Sequence, residues 1–194
     1  MIIYRKAILF LFCFFVIQFA CAQIRFENPS FEGTPQDGTS PAGWFQCKSG
    51  STPDILPGSW GVYNEAADGN TYIGLITRED GTWEDITQRL KEPLKGGECY
   101  TFSIDLARSK TYAGYNLPVR LRIWGGMERC DRDELLDQSP MIKHSTWRTY
   151  TLQINPKKDY KFIIIEAYFA NGYFSYKGNI LIDNLKPLKK CPRA

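Results

Sequence analysis

One histidine, His144, is all that the 194-residue sequence contains, and that scarcity narrows the chemistry. A Ser-His-Asp or Cys-His nucleophile would have to be built on this ring. No Gly-x-Ser-x-Gly elbow, His-Glu-x-x-His pattern or phosphate-cradling glycine loop accompanies it. Long apolar runs are also missing: 7–17 is an eleven-residue run, too short for a comfortable transmembrane helix, and nothing later resembles one. Excess charge is lacking too. Without residues 1–22, which hold Arg5 and Lys6 and no acid, 22 basic residues face 21 acidic ones. A net charge of +1 is no electrostatic footprint for nucleic acid or for an anionic membrane. Internal repeats and low-complexity linkers are absent.

What the chain does have is aromatic residues, with 12 Phe, 11 Tyr and 5 Trp, together with 16 Gly and 11 Pro. That mixture favours many short strands joined by turns, in a single domain. Arg5 and Lys6, the apolar run and Ala20-Cys21-Ala22 read as a signal peptide over 1–22, so the mature domain would be 23–194, starting at Gln23. The rival is a lipoprotein anchored through Cys21, against which Gln18 stands where a lipobox wants Leu. Four cysteines remain in the mature chain, Cys47, Cys99, Cys130 and Cys191. An even number in an exported protein points to two disulfides.

Strands are expected over 71–77, 84–90, 100–108, 119–124, 147–155, 160–169 and 179–188, after a short one over 23–31. The stretches 33–43 and 47–61 read as irregular loops. One short helix is expected at 131–136, where Asp131 can cap and Glu134 follows three residues on. Alternation along 119–124 puts Arg120, Arg122 and Trp124 on one face. If neighbouring strands agree, Asp105, Glu166 and Tyr168 join them on a polar, aromatic-edged surface. Asp183 sits in the middle of the apolar strand 179–188. A buried carboxylate there needs a partner, and calcium, turn capping or an arginine would each serve. Glu32, at the other end of the mature chain, can meet it if the first and last strands close one sandwich.

Asn28-Pro29-Ser30-Phe31-Glu32, Gly43-Trp44, 68–74, 97–103, 146–150 and Ile182-Asp183-Asn184-Leu185 follow in order the pattern of carbohydrate-binding modules of the galactose-binding jelly-roll type, and the chain resembles that family over essentially its whole mature length. It also resembles secreted single-domain proteins of Bacteroidota. The resemblance implies an all-β antiparallel β-sandwich with jelly-roll topology. It further implies a structural calcium on Glu32 and Asp183, with oxygens near Asp68 and Asn28 as additions. The four cysteines and the stretch 123–126 are not general features of those glycan binders, so sugar-binding residues do not transfer by alignment. If the last strand runs antiparallel beside 100–108, Cys99 meets Cys191, leaving Cys47 for Cys130; four cysteines allow three pairings.

The function expected on these grounds is a non-catalytic, secreted glycan-binding module in the Gram-negative envelope or outside the cell. Trp124 would supply the stacking plane, Arg120, Arg122, Asp105 and Glu166 the polar contacts, and Tyr112, Tyr115 and Asn116 a loop wall. Two alternatives stand beside it. One is a structural or adhesive envelope protein with a protein partner. The other is a glycoside hydrolase using Asp105 and Glu166 as its carboxylate pair. Trp60, Tyr63, Trp83 and Tyr112 could serve as core packing or as a sugar platform, and Arg120 and Arg122 could simply be paired across strands with the acids.

Overall fold

The computed structural model of the chain describes residues 23–47, 50–170 and 174–192; the expected leader over 1–22 lies outside the described residues. The strands are β1 (Gln23–Ile24), β2 (Asp54–Leu56), β3 (Tyr72–Thr77), β4 (Asp85–Leu94), β5 (Tyr100–Ala107), β6 (Leu117–Pro118), β7 (Arg120–Gly126), β8 (Glu134–Gln138), β9 (Arg148–Ile154), β10 (Tyr160–Tyr168), β11 (Gly178–Asp183) and β12 (Leu188–Lys190). Eight form one sheet, with the path β1-β12-β5-β11-β3-β2, β9 on the free side of β5 and β6 beside β11. The other four form a second sheet in the order β4-β10-β7-β8. Apart from the short parallel pairing of β6 with β11, the strands pair antiparallel.

Alternation decides which side chains enter the sandwich. Phe102, Ile104 and Leu106 of β5, with Ile180 and Ile182 of β11, meet Leu121 and Ile123 of β7 and Ile163 and Ile165 of β10 in one buried cluster. Each such side chain contributes roughly 1.5–3 kcal/mol relative to exposure, and this shared cluster holds the two sheets together. A second, smaller cluster lies on the outer face of the eight-stranded sheet. There Leu56, Tyr72, Ile76, Ala107 and Leu181 pack under Val62 and Tyr112, which loops bring over the sheet.

Four expectations about elements change. The short strand expected over 23–31 is only β1, Gln23–Ile24, and the loop expected over 47–61 carries β2. Residues 131–136 are not helical; β8 runs from Glu134 and pairs with β7. Glu134, expected to complete the helix cap, accepts instead from the Lys157 amide and the Tyr160 hydroxyl, both at 2.9 Å, and Asp133 accepts from the Met127 amide at 3.1 Å. A helix of one or two turns is marginal by itself, whereas the strand gains a ladder. The expected strand over 179–188 is two strands. It breaks where Asn184 turns left-handed at φ 52, and β11 and β12 then both line β5. Cys191 therefore comes beside Cys99, its amide donating to the Cys99 carbonyl at 3.0 Å, and these two are joined, as are Cys47 and Cys130. Among the described residues there is no helix long and apolar enough to cross a membrane.

Candidate functional site

The outward face of β7 and β10 brings several of the expected site residues together. Arg122 lies opposite Glu166, Arg120 opposite Tyr168 and Trp124 opposite Ile164. Asp105 is not among them. It belongs to β5 in the other sheet, opposite Asp183, where it accepts from the Thr149 hydroxyl at 2.5 Å and the Asn184 amide at 2.7 Å. Alternation says which way a side chain points and nothing about which sheet its strand joins. A carboxylate pair of Asp105 and Glu166 for glycoside hydrolysis is therefore excluded.

Glu166 is fully buried although it points away from the sandwich core. Its carboxylate accepts from the indoles of Trp124 and Trp83 and from Arg132 Nε, each at 2.9 Å, and Arg122 Nε stands 3.4 Å away. Arg132 also meets the buried Asp85. The loop bearing Arg132 is tied to Cys47 through Cys130, and the Cys47 amide donates to Asp85 at 2.9 Å. Arg122 lies over both aromatic rings, 3.8 Å from the Tyr168 centroid and 4.5 Å from that of Trp124. Trp124 thus has its indole N–H on Glu166 and its ring against a guanidinium. Beside this network Arg120, Arg122, Leu135, Gln138 and Tyr168 line a hollow of about 350 Å³.

A larger cleft, about 420 Å³, opens on the far side of the molecule, over the outer face of the eight-stranded sheet. Asp54, the first residue of β2, is buried at its base and accepts from the Gly38 amide at 2.8 Å and from the Tyr112 hydroxyl, and Trp60 lines the same cleft. Burial raises its carboxyl above the ordinary aspartate range, and these bonds offset only part of that. Tyr112 can lie on β3 because residue 74 is glycine: a Cβ there would stand 2.7 Å from the tyrosine oxygen. Trp60 is 51% exposed and carries a positive φ of 57°, a conformation unusual for a bulky residue and one that marks a position held by its surroundings. The loop bearing it is held in place by Ala113, whose amide donates to the Trp60 carbonyl at 3.1 Å. At the back of the cleft Glu84 accepts from the Thr52 hydroxyl at 2.8 Å, the Ile76 amide at 3.1 Å and Arg78 at 2.5 Å. Burial nonetheless pushes the Glu84 carboxyl up to about 7.

Of the expected loop wall, Tyr112 and Tyr115 line this cleft, whereas the Asn116 carbonyl accepts from Arg108. Asp54, Arg78 and Glu84 were missed by the sequence reading. Asp54 carried the signal that singled out Asp183, a carboxylate within a short apolar strand. It was passed over because 47–61 read as loop.

The third acidic locus is the turn over 67–71. Asp183 is buried and accepts from the amides of Ala67 at 2.8 Å, Asp68 at 3.0 Å and Asn184 at 2.6 Å. Burial still carries its carboxyl up to about 6. Glu32 accepts from the Asn70 and Thr71 amides at 2.8 and 3.2 Å. Asp68 accepts from Ser30, and the Asn28 side chain bonds the Glu32 amide and carbonyl. Glu32 and Asp183, far apart in the chain, are both held by amides of this one turn. Carboxylate and amide oxygens are the right kind of donor for calcium, and here one Glu32 oxygen and both Asp183 oxygens accept N–H groups.

No family model matches the chain, and no curated protein matches it in sequence. Solved structures do resemble it. A cyclase from Fischerella sp. TAU superposes with a TM-score of 0.58 at 16% identity, over 89% of this chain and 98% of the cyclase. The CBM22-1 xylan-binding domain of Paenibacillus barcinonensis Xyn10C gives 0.52 at 15% identity, over 85% and 93%. The K1 cleaved adhesin domain of Lys-gingipain from Porphyromonas gingivalis W83 gives 0.51 at 15%, over 84% and 96%. At these identities the likeness concerns the fold: the chain has the jelly-roll sandwich of carbohydrate-binding-module-like and adhesin domains.

Proposed function

We propose that the mature chain is a secreted, non-catalytic β-sandwich that binds a carbohydrate in the cleft of Trp60, Tyr112 and Tyr115. The observation that carries this reading is Trp60, half exposed at the rim of a cleft whose base holds the buried Asp54. A sugar presents an apolar C–H face that packs on an aromatic ring and hydroxyls that want polar partners. The cleft offers both, with Asp37, Asp54 and Arg78 beside the indole. Because the indole is already oriented, little conformational freedom is lost on binding. The xylan-binding and adhesin neighbours support this class of ligand, and two disulfides support an oxidising destination outside the cytoplasm.

A glycan array on the secreted protein followed by calorimetry on the best ligand tests the reading. Trp60→Ala should weaken that ligand about tenfold or more. Undiminished binding in the variant moves the site elsewhere, and a blank array favours the adhesive envelope role with a protein partner. The raised carboxyls of Asp54 and Glu84, with the cyclase neighbour, favour an enzymatic second reading in which a protonated carboxyl acts as acid. Both groups already accept several internal hydrogen bonds, which suits them to holding the cleft in shape.

Calcium at Glu32 and Asp183, with Asp68 and Asn28, is proposed on the resemblance. It would replace the amides now on those carboxylates and stabilise the folded chain by mass action. A chelator should then lower the melting temperature, and Asp183→Asn should abolish that response. An identical melting curve with and without chelator assigns the turn to amide capping.

A further inference from the structure

We propose that the hollow beside Arg120 on the β7–β10 face is a second binding site, for an anionic group, carboxylate or sulfate, borne on a sugar. It lies on the opposite sheet from the Trp60 cleft and stands independently of it. Three guanidiniums lie on this side of the sheet, Arg122 and Arg132 against the buried carboxylates Glu166 and Asp85 and Arg120 beside Arg122 in the hollow. Arg132 bonds both acids and Arg122 pairs with Glu166. Among the described residues no carboxylate pairs with Arg120. Its Nη2 donates to the Ala170 carbonyl at 2.8 Å, and its Nε has no hydrogen-bond partner, nor does that of Arg122. The fixed acids are thus fully answered by the other two arginines, and one positive charge is left over at the edge of the hollow.

The shape agrees with the charge. Both arginines line a hollow of about 350 Å³, larger than a single small ion needs. Arg122 is held over the Tyr168 ring, 3.8 Å from its centroid, and 4.5 Å from that of Trp124, so its guanidinium is positioned before any ligand arrives, and a guanidinium is suited to forked recognition of carboxylate or sulfate oxygens. Leu135, 39% exposed, Tyr168 and the Gln138 amide complete the lining. They present apolar surface to a sugar ring and a neutral hydrogen-bonding group to a hydroxyl. Among the described residues no acid lines the hollow, and a carboxylate-bearing or sulfated sugar fits this combination better than a neutral one.

Calorimetry with an oligogalacturonate, its methyl ester and a sulfated oligosaccharide tests the site on the parent, Arg120→Gln and Trp60→Ala. The acidic oligosaccharide should bind the parent and Trp60→Ala alike, should weaken about tenfold or more in Arg120→Gln, and should weaken as salt is raised. Binding of the sulfated probe alone identifies sulfate as the anion, and binding of both identifies the shared charge. If neither anionic probe binds, if the ester binds as well as the acid, or if Arg120→Gln binds as the parent does, the proposal fails. The ester comparison and the salt dependence use the parent alone and hold even if the variant folds poorly. Loss of anion binding in Trp60→Ala would merge the two sites and also overturn it.

Discussion

The faces of the two sheets that look away from the core use the same residue types to opposite ends. On β7 and β10 the carboxylate of Glu166 is closed in by two indoles and two guanidiniums and is fully buried. Over β2 and β3 the carboxylate of Asp54 likewise takes a phenol and an amide, yet the indole of Trp60 in the same cleft is half exposed. In the first, aromatics and charges satisfy one another. In the second, a buried charge shares its cleft with an aromatic open to solvent. The difference comes from what lies above each strand. Arg132, on a loop fastened by the Cys47–Cys130 disulfide, covers the β10 acid, whereas the loop of Trp60 rises to form a wall.

If that contrast is right, Glu166→Ala should have the largest effect on stability. It leaves Arg132 and Arg122 without their shared carboxylate and two indole N–H groups unanswered, a loss of about 3–5 kcal/mol; denaturant melts would show it, and a loss under about 1 kcal/mol would mean that the network is dispensable. Next comes pH. Glu84 and Asp183 have carboxyls raised in the fold from ordinary values of 4.5 and 3.8 to about 7 and about 6. The folded state binds these protons more tightly than the unfolded chain does. Their contribution to stability is therefore complete below about pH 4 and is lost as pH climbs through 6 to 7. The melting temperature should fall between pH 5 and pH 8, and Glu84→Gln should flatten that fall. For Glu84 the change is on the order of 1–3 kcal/mol. The smallest stability effect belongs to Trp60→Ala, about 1 kcal/mol or less because half of the ring is already in water, despite its expected effect on binding. If Trp60→Ala proved as destabilising as Glu166→Ala, the two faces would not differ in kind, and the cleft would be only another structural network.

How much of the site could be read in advance follows the same line. Arg120, Arg122 and Trp124 were placed on one face by alternation, because β7 is regular and sequence period maps directly onto side-chain direction; Glu166 joined them only on the condition that its strand lay alongside, which β10 does. Their mutual contact was foreseen only as one option. Asp105 was assigned to that face because no local pattern says which strands adjoin. Asp54 was missed because a three-residue strand inside a turn-rich stretch has too few positions to show a period. The short helix at 131–136 was a fair reading of Asp131 and Glu134, overridden when Glu134 found partners on the distant Lys157 and Tyr160 and β8 paired with β7.

The sequence by itself determined the all-β class, the pattern of inward aliphatics along β5, β7, β10 and β11, and the need of Asp183 for a partner. Each of these follows from periodicity or from the cost of burying an unanswered charge, and both are properties of a short stretch of chain. Only the tertiary structure decided that Asp105 faces Asp183 rather than Glu166, that Arg122 covers Trp124, that Arg120 is left without an acid, and that Trp60 stands open. These depend on strand order and on which loop crosses which face. Such contacts join residues far apart in the chain, and no local pattern encodes them.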